Sequence, residues 1–392
     1  MNTQAPDDLF DVVIVGAGAA GVGVSVALGH AGIENFVVLE RHSVGASFAR
    51  WPAETRFITP SFPTNSVGML DLNSVVIGTS AAVTLGVEHP TGREYAAFLK
   101  AIARHFELPI QEGVDVLWID RRGEEFVVET TAGHLRARHV IWAAGDFQYP
   151  RLNDFEGSEL CLHTALLSSY AELDGNDFIV VGGYESGVDV ASHLAERGKR
   201  VRLFDRGRPW APESSDPSVA LSTFSLERTR RRSYAEHVEL FPDTAVTAVA
   251  TAHAGFEVAT DDGLLFHTPV QPLLAGGFAG SHPLVMDHFE SRQDGFPLLN
   301  KHDESTTVPG IYLCGASVRH DKHIFCFIYK YRQRFAVVAK AIATSLGLPA
   351  EGLEMYRTWG MYLEDLSCCG QECVCWSTVP TPRRPWLRSA GE

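Results

Sequence analysis

The stretch from Asp11 to Arg41 constrains the fold of this chain more than any other. An apolar, β-branched run from Val12 to Val15 leads directly into the turn Gly16-Ala17-Gly18-Ala19-Ala20-Gly21. In a G-x-G-x-x-G turn between a strand and a helix, the first glycine permits the tight bend and the second lets a pyrophosphate approach the backbone. The third glycine lets the helix pack closely on the strand. This order of elements predicts a dinucleotide-binding βαβ unit.

The residues after the turn agree with this prediction. Small residues from Val22 to His30 predict a helix that ends at Gly32, and Phe36 to Leu39 predict a second buried strand that ends in Glu40. Glu40 lies about 20 residues beyond the last glycine of the turn, where a carboxylate can accept both ribose hydroxyls. A structural glycine turn without a ligand is the alternative. The agreement of strand, spacing, helix and acid favours the dinucleotide site.

A second unit of the same kind follows at residues 178–206. Phe178 to Val181 predict a strand, Val188 to Glu196 a helix and Val201 to Phe204 a strand before Asp205-Arg206, with the turn Gly182-Gly183-Tyr184-Glu185-Ser186-Gly187 between the first two. Tyr184 stands where the second glycine would be, so a pyrophosphate cannot come as close to this backbone. We predict a second nucleotide site; the alternative is a domain that keeps the fold without the ligand.

Composition limits the classes of function. A chain of 392 residues predicts two or three domains. The net charge of −15 is not concentrated in any block, and the densest basic cluster, Arg228 to Arg232, has no interleaved aromatic residues, so a nucleic-acid partner is not expected. The N-terminal residues are polar and acidic, and no apolar run reaches the length of a membrane span, so we expect a cytoplasmic protein.

The segment Arg41 to Pro63 is rich in proline, threonine, serine and aromatic residues and is predicted to be an irregular loop. We expect it to lie along the first cofactor, with candidate contacts at Arg41, Ser47, Phe48 and Trp51; a plain surface loop is the alternative. Other predicted elements are helices at 93–106, 329–346 and 353–366 and two small β-meanders at 114–142 and 246–267.

Short glycine-containing segments mark the expected crossings between domains and the closing strand. Ala143-Ala144-Gly145 and Gly276-Gly277-Phe278 are the expected crossings, and Ile311 to Gly315 is a buried strand that feeds a long helix after Asp321. Glycine at the end of a strand that feeds a helix is a place where a cofactor meets backbone N–H groups. The candidate contacts here are Ala144, Gly145, Gly277, Gly315 and Asp321.

Together these motifs resemble the two-dinucleotide flavoproteins that include flavin-containing monooxygenases, thioredoxin reductases and bacillithiol disulfide reductases, over roughly residues 10–345. Phe57-Ile58-Thr59-Pro60 and Pro90-Thr91-Gly92-Arg93-Glu94 are most similar to the bacillithiol disulfide reductase branch. The resemblance implies an α/β fold with two Rossmann-like three-layer domains. It places FAD at residues 1–160 and 281–350 and an inserted NAD(P)H domain at 161–280, and the remaining residues 351–392 form a cysteine-rich tail.

Departures from these relatives bear on the reaction. The C-x-x-C of thioredoxin reductases is absent from residues 178–280, and residues 41–63 lack the cysteine pair of glutathione-reductase-like enzymes. The monooxygenase motif F-x-G-x-x-x-H is partial: Phe155-x-Gly157 is followed by Cys161 at the histidine position, with His163 two residues further on. None of these three comparisons therefore decides the reaction.

Hydride transfer between a nicotinamide and a flavin needs little acid–base help from the protein. His320 and His323 are the best proton-donor candidates, with a solvated surface pair as the alternative. Cys314 and Cys326 are expected to pack in the core. Asp205 could bind a ribose diol, whereas Arg206 and Arg208 could bind a 2′-phosphate, so NADH and NADPH both remain open and the arginines favour NADPH slightly.

Four cysteines, Cys368, Cys369, Cys373 and Cys375, crowd into the C-terminal tail. They could relay electrons or deliver a metal, close a structural metal clasp, or be idle. A relay could fold back onto the flavin of the same subunit or reach the flavin of a partner subunit, and a homodimer fits the second route.

We expect an FAD-dependent NAD(P)H oxidoreductase that reduces a small disulfide or similar acceptor. A flavin-dependent monooxygenase acting on nitrogen or sulfur is the first alternative. A dinucleotide-binding redox or metal sensor with low turnover is the second.

Overall fold

A computed structural model describes residues 9–63, 69–211, 214 and 216–367 of the chain. Its helices are α1 (Ala19–His30), α2 (Ala46–Ala49), α3 (Ala81–Leu85), α4 (Gly92–His105), α5 (Glu185–Glu196), α6 (Thr223–Thr229), α7 (Arg232–His237), α8 (Ile328–Tyr331), α9 (Phe335–Ser345) and α10 (Glu354–Thr358). Its strands are β1 (Leu9–Val15), β2 (Phe36–Glu40), β3 (Ile110–Glu112), β4 (Val116–Arg122), β5 (Glu125–Thr130), β6 (Gly133–Trp142), β7 (Leu162–His163), β8 (Asp177–Val181), β9 (Arg200–Phe204), β10 (Val238–Phe241), β11 (Val246–Ala252), β12 (Gly255–Thr260), β13 (Leu265–Thr268), β14 (Leu273–Leu274), β15 (Ile311–Leu313), β16 (Arg319–His320) and β17 (His323–Ile324).

The first sheet carries the first nucleotide unit. Its parallel part has the order β3-β2-β1-β6, with β15 also paired to β6, and the antiparallel strands β5 and β4 extend it. Every residue of β2 is buried, as expected for a strand covered on both faces. Helix α1 packs against α9, where Phe335 fits against the bare backbone of Gly23. The C-terminal part of the chain thereby completes the first domain.

The second sheet is parallel, in the order β10-β9-β8-β14-β7. Its strands between Leu162 and Leu274 lie inside the range assigned to the inserted domain. One face packs on the helices through Val180, Val188 and Leu203, and the other face packs on the antiparallel sheet β11-β12-β13. The protein is thus an α/β fold with two Rossmann-like, three-layer domains, as predicted.

Two segments cross between the domains side by side. Pro150 and Phe278 form an antiparallel bridge, and buried His163 is 3.1 Å from the Gly277 carbonyl oxygen through its Nε2. In the partial monooxygenase motif, a Cβ on Gly157 would lie 1.8 Å from the Val249 carbonyl oxygen. Gly157 is therefore accounted for by packing on β11, and His163 by its contact with the crossing segment at Gly277.

The prediction for residues 353–366 is wrong beyond the first turns. Helix α10 ends at Thr358, and Gly360 follows with a φ of +63°, a left-handed conformation that stops a helix. The predicted helix at 329–346 corresponds to α8, a short 3₁₀ turn and α9 in succession. Among the described helices, none is long and apolar enough to cross a membrane.

Candidate nucleotide and interdomain site

The first glycine turn is held by backbone packing. Gly16 has a φ of +101°, and a Cβ there would lie 2.7 Å from the Ala143 carbonyl oxygen. A Cβ on Gly21 would lie 1.9 Å from the carbonyl oxygen of Gly16. Both positions therefore require glycine for the turn itself, whatever it binds.

Gly18 has a different environment. It is the N-cap of α1, and a Cβ there would meet no atom of the described residues within 4 Å. The space in front of the free N–H groups of α1 is therefore open, which fits a pyrophosphate. Buried Glu40 accepts hydrogen bonds from the backbone nitrogens of Ala17 and His42, both at 2.8 Å, which fix its carboxylate beside the turn. The first unit fits FAD.

A cavity of about 430 Å³ opens at the ends of β1, β2 and β6 and is called here the strand-end cavity. Three of the predicted cofactor contacts, Glu40, Arg41 and Ala144, line it, and Trp118 and Tyr149 line it as well. Those two aromatic residues were missed, because β4 and the crossing reach the turn only in the folded chain.

Side chains from distant segments fix the loop after Glu40. Arg41 donates a hydrogen bond to Gln148 Oε1 at 2.8 Å, and Gln148 donates one to Ser47 Oγ at 3.1 Å. Arg50 donates to the same Gln148 oxygen at 3.0 Å. The loop is therefore tied to the crossing segment rather than being a free surface loop.

The second glycine turn repeats the backbone of the first. Gly182 has a φ of +102°, and a Cβ there would lie 2.4 Å from the Ala275 carbonyl oxygen. A Cβ on Gly187 would lie 1.8 Å from the carbonyl oxygen of Gly182. Asp205 is buried and accepts hydrogen bonds from the backbone nitrogens of Gly183 at 2.7 Å and Gly207 at 2.8 Å, as Glu40 does in the first unit.

In front of the second turn, the two units differ. Tyr184 is the N-cap of α5 and is 49% exposed, and the Trp210 ring lies against Gly183, 2.2 Å from where a Cβ would be. Arg208 is ion-paired with Asp243, and Arg206 is exposed. The strand, bend and acid fit a pyridine nucleotide, but the space that is open at Gly18 contains a side chain here.

A second cavity, of about 450 Å³, lies between the two domains and is called the interdomain cavity. Phe48, Trp51 and Phe57 line it from the first domain, and their ring centroids are 5.0 to 5.6 Å apart. Glu185 and Ser186 line it from the start of α5. The predicted contacts of both units thus meet at one cavity.

Asp146 also lines the interdomain cavity and was missed from the sequence. Burial raises the pKa of its carboxyl group, although nearby Arg319 opposes this. A carboxyl group that holds its proton more tightly than usual beside a cavity can serve as a proton donor. Its position directly after Ala143-Ala144-Gly145, at the end of a buried strand, was the available signal.

Asp189 of α5 joins the two domains. It accepts hydrogen bonds from Thr55 at 2.7 Å, Tyr170 at 3.0 Å and Arg228 at 2.5 Å, and His193 lies 3.5 Å away. Burial raises the pKa of Asp189, but the hydrogen bond from His193 and the charge of Arg228 outweigh burial and lower it to about 2. An ionised, fully partnered carboxylate thus fixes the loop of the first domain to α5.

The predicted histidine pair does not reach either cavity. His320 Nε2 lies 2.5 Å from Oδ1 of fully buried Asp303, which also binds Arg334. Burial raises the pKa of Asp303, but Arg334 and His320 reverse the effect and lower it. His323 and Asp321 belong to the same hairpin, with Asp321 exposed at its tip. The contact of His320 with Asp303 holds this hairpin to the rest of the first domain.

The remaining predicted glycines contact neighbouring segments of the first domain and of the crossings. Gly315, with a φ of +107°, abuts Ala20 at the start of α1, where a Cβ would lie 3.0 Å from the Ala20 Cβ. The Gly145 carbonyl oxygen accepts a hydrogen bond from the backbone nitrogen of Ser281 at 3.0 Å. The Gly277 carbonyl oxygen accepts a hydrogen bond from the backbone nitrogen of Arg151 at 3.0 Å, next to Pro150 of the other crossing segment.

Within the described residues, Cys161, Cys314 and Cys326 are free. Cys161 and Cys314 are buried, and burial raises the pKa of the Cys314 thiol. Cys326 lines the interdomain cavity, contrary to the expectation of core packing. The predicted group Cys368, Cys369, Cys373 and Cys375 lies outside the described residues.

Known proteins share this architecture. The pyridine nucleotide-disulphide oxidoreductase family matches residues 13–315. The uncharacterized oxidoreductase CzcO of Bacillus velezensis is 26% identical over 194 residues, which are 48% of this chain and 52% of that protein, so the chain spans about half the length of this curated relative.

Two solved structures show the same fold. Bacillithiol disulfide reductase Bdr (YpdA) from Bacillus cereus has a TM-score of 0.69 at 20% identity, covering 86% of this chain and 100% of the other. A flavin-containing monooxygenase from Stenotrophomonas maltophilia has a TM-score of 0.64 at 17% identity, covering 86% and 99%. At these identities the likeness is one of fold.

Proposed function

Because the chain belongs to the pyridine nucleotide-disulphide oxidoreductase family, a family of FAD- and NAD(P)-dependent oxidoreductases, we propose that it carries electrons from a pyridine nucleotide through FAD to a small acceptor in the interdomain cavity. The observation that carries this proposal is the cavity itself, which Phe48 and Trp51 border from the first unit and Ser186 from the second. A cavity at such a domain interface is the usual place for a substrate.

The residues of the chain have separable roles in this proposal. The turn from Gly16 to Gly21 and Glu40 would hold FAD, which when bound supplies the two-electron chemistry. The aromatic side chains of Phe48, Trp51 and Phe57, which line the interdomain cavity, exclude water and border the acceptor. Asp146 would hold a proton on its carboxyl oxygen for the reduced acceptor.

NADH is the proposed nucleotide. Asp205 takes the same pair of backbone hydrogen bonds as Glu40, and such an acid favours a ribose diol over a 2′-phosphate. Arg208, one of the two arginines that favoured NADPH in the sequence, is paired with Asp243. The slight preference for NADPH is therefore replaced by NADH in this proposal.

The acceptor is proposed to be a small disulfide or a compound of similar reactivity, and the cysteine tail to relay electrons to it from the flavin of a homodimer partner. Replacing Cys368 and Cys369 by serine should leave flavin reduction by NADH intact and lower disulfide turnover by at least about tenfold, a loss of about 1.4 kcal/mol in transition-state stabilisation. Stopped-flow reduction and steady-state turnover separate the two steps. Parent-like disulfide turnover would exclude the relay, and joint loss of zinc and thermal stability would indicate a metal clasp.

The function is tested with purified protein under anaerobic conditions. It should bind FAD, lose its yellow colour when NADH is added and regain the colour with a disulfide, a quinone or another small acceptor. Protein that cannot be reconstituted with FAD would exclude the proposal. Oxygen incorporated into an amine or sulfide substrate would favour the monooxygenase, and reduction without multiple turnover with any acceptor would favour the sensor.

A further inference from the structure

The second nucleotide unit is covered by a segment of its own domain. Residues 216–229, called here the strap, include α6 and line the interdomain cavity through Pro217, Ser218, Ala220, Ser225 and Arg228. The strap lies beside the start of α5, where a bound nucleotide would meet the helix.

Glu185, the first residue of α5, fastens the strap to this unit. Its carboxylate accepts hydrogen bonds from Ser222 N at 2.6 Å, Ser222 Oγ at 3.1 Å and Ser225 Oγ at 2.5 Å. The carboxylate thereby satisfies N-terminal groups of α6. It also places an acid next to the helix end where a pyrophosphate would need positive potential.

Residues of the first domain fasten the other part of the strap. Lys330 Nζ donates to Asp216 Oδ1 at 2.7 Å and to Ser218 Oγ at 2.6 Å, and Cys326 Sγ donates to Ser218 Oγ at 3.3 Å. The rings of His89 and Phe224 stack with centroids 4.3 Å apart. The strap therefore bridges both domains across the cavity.

Tyr184 also stands in front of the second nucleotide unit, together with the strap and Glu185. Gly18 and Tyr184 are both N-caps with nearly equal backbone angles, φ −79° and ψ −165° for Gly18 and φ −82° and ψ −158° for Tyr184. The open direction at Gly18 is therefore the direction in which the Tyr184 side chain leaves the backbone. Tyr184 stands in the space that the first unit keeps free for a pyrophosphate.

We propose that Tyr184 and the strap form a gate over the second nucleotide unit, and that a pyridine nucleotide binds there only when the strap lifts from Glu185 and Lys330. This rests on the proposed function, since it concerns the same nucleotide. The residues that hold the gate shut lie on both domains, so nucleotide binding is coupled to the interdomain contact. A closed gate lowers the apparent affinity by the fraction of molecules that are open.

A reversible cross-link tests the gate. Ser218→Cys places a second thiol beside Cys326, whose Sγ is 3.3 Å from the present Ser218 Oγ, so mild oxidation should join the strap to the first domain. In the FAD-loaded protein, the cross-link should weaken NAD⁺ binding, measured by calorimetry, about tenfold or more, and dithiothreitol should restore it. Mass spectrometry should find the bond on the tryptic peptide 323–330, in which Cys326 is the sole cysteine.

The matched control is Ser218→Cys combined with Cys326→Ser, which cannot form this bond and should bind NAD⁺ equally before and after oxidation. Equal NAD⁺ affinity of the cross-linked and reduced proteins would overturn the gate while leaving the proposed function intact. A second variant, Lys330→Met, releases the strap and should bind NAD⁺ more tightly than the parent. If neither the parent nor Lys330→Met binds NAD⁺ or is reduced by NADH, the nucleotide part of the proposed function fails and the gate with it.

Discussion

The two nucleotide units have the same backbone but not the same space in front of it. Gly16 and Gly182 have φ values of +101° and +102°, and a Cβ on Gly21 or Gly187 would clash with the carbonyl of the glycine that opens the turn. The equivalent positions Gly18 and Tyr184 diverge. The glycines of the bend are thus required by backbone packing, whereas the glycine at position 18 is required only by the space that a ligand would occupy. A unit can therefore keep its fold while the space in front of its helix changes.

The helices after the turns diverge as well. Gly23 in α1 sits against the Phe335 ring, where a Cβ would lie 2.1 Å away, whereas the equivalent residue in α5 is Asp189. The first helix is fixed to its own domain by apolar packing. The second is fixed to the other domain by a buried carboxylate, that of Asp189, which bonds to Thr55.

The largest expected effect comes from giving the first unit the residue of the second. Gly18→Tyr should weaken FAD binding about a thousandfold, or about 4 kcal/mol, because the ring would enter the space in front of α1. Flavin absorbance of the purified protein and titration of apoprotein measure this. Gly29→Tyr, at an exposed position of the same helix where a Cβ meets no described atom within 4 Å, should retain FAD. Full flavin content in Gly18→Tyr would refute the assignment of the space in front of α1 to the pyrophosphate of FAD.

The second effect concerns the buried charge that joins the units. Asp189→Asn leaves Arg228, which is 4% exposed, without its counter-ion and should cost about 3 kcal/mol of unfolding free energy in urea. Asp243→Asn removes a carboxylate from an exposed pair with Arg208 and should cost less than about 1 kcal/mol. Equal losses in the two variants would contradict the role of Asp189.

The same variant gives a pH test. The pKa of Asp189 is lowered to about 2 in the folded protein, below the value of about 3.9 expected when it is unfolded, so its stabilising contribution is present above that value and is lost as the pH falls towards 2. The difference in unfolding free energy between the parent and Asp189→Asn should therefore shrink as the pH falls from about 5 to about 3. A difference that stays constant would assign the effect to packing.

The third effect compares the two acids. Asp205→Ser removes the carboxylate equivalent to Glu40 and should lower the ratio of kcat/KM for NADH over NADPH about a hundredfold, or about 2.7 kcal/mol. Steady-state kinetics with both nucleotides measure the ratio. Glu239→Gln, at an exposed acid on the neighbouring strand β10, is the control and should not change it. An unchanged ratio in Asp205→Ser would remove the argument for NADH.

The smallest effect is the reverse exchange. Tyr184→Gly should tighten NAD⁺ binding about tenfold, or about 1.4 kcal/mol, because it reopens the space that Gly18 leaves free. Calorimetry on the FAD-loaded protein measures the affinity, and Tyr184→Phe, which keeps the ring, should match the parent. Weaker binding in Tyr184→Gly would mean that the tyrosine contributes to the nucleotide site instead of closing it.

The sequence by itself determined both βαβ units and the identity of their acids. Those features arise from short-range rules: a strand, a bend that needs glycine and a helix follow one another within about 30 residues. Glu40 and Asp205 could be named because their distance from the turn is fixed by the length of one helix. The tyrosine in place of the second glycine, Tyr184, was also visible in the sequence, whereas the strap beside it was not.

The tertiary structure alone decided what surrounds these units. Asp146, Trp118 and the Asp189 contacts join residues far apart in the chain, and no local pattern specifies which loop will meet which helix end. The nearness of His320 and His323 to the cofactor was predicted from chain order alone, whereas in the folded chain His320 and Arg334 both contact buried Asp303. Local sterics fix a nucleotide turn, but its accessibility depends on which distant segments pack in front of it.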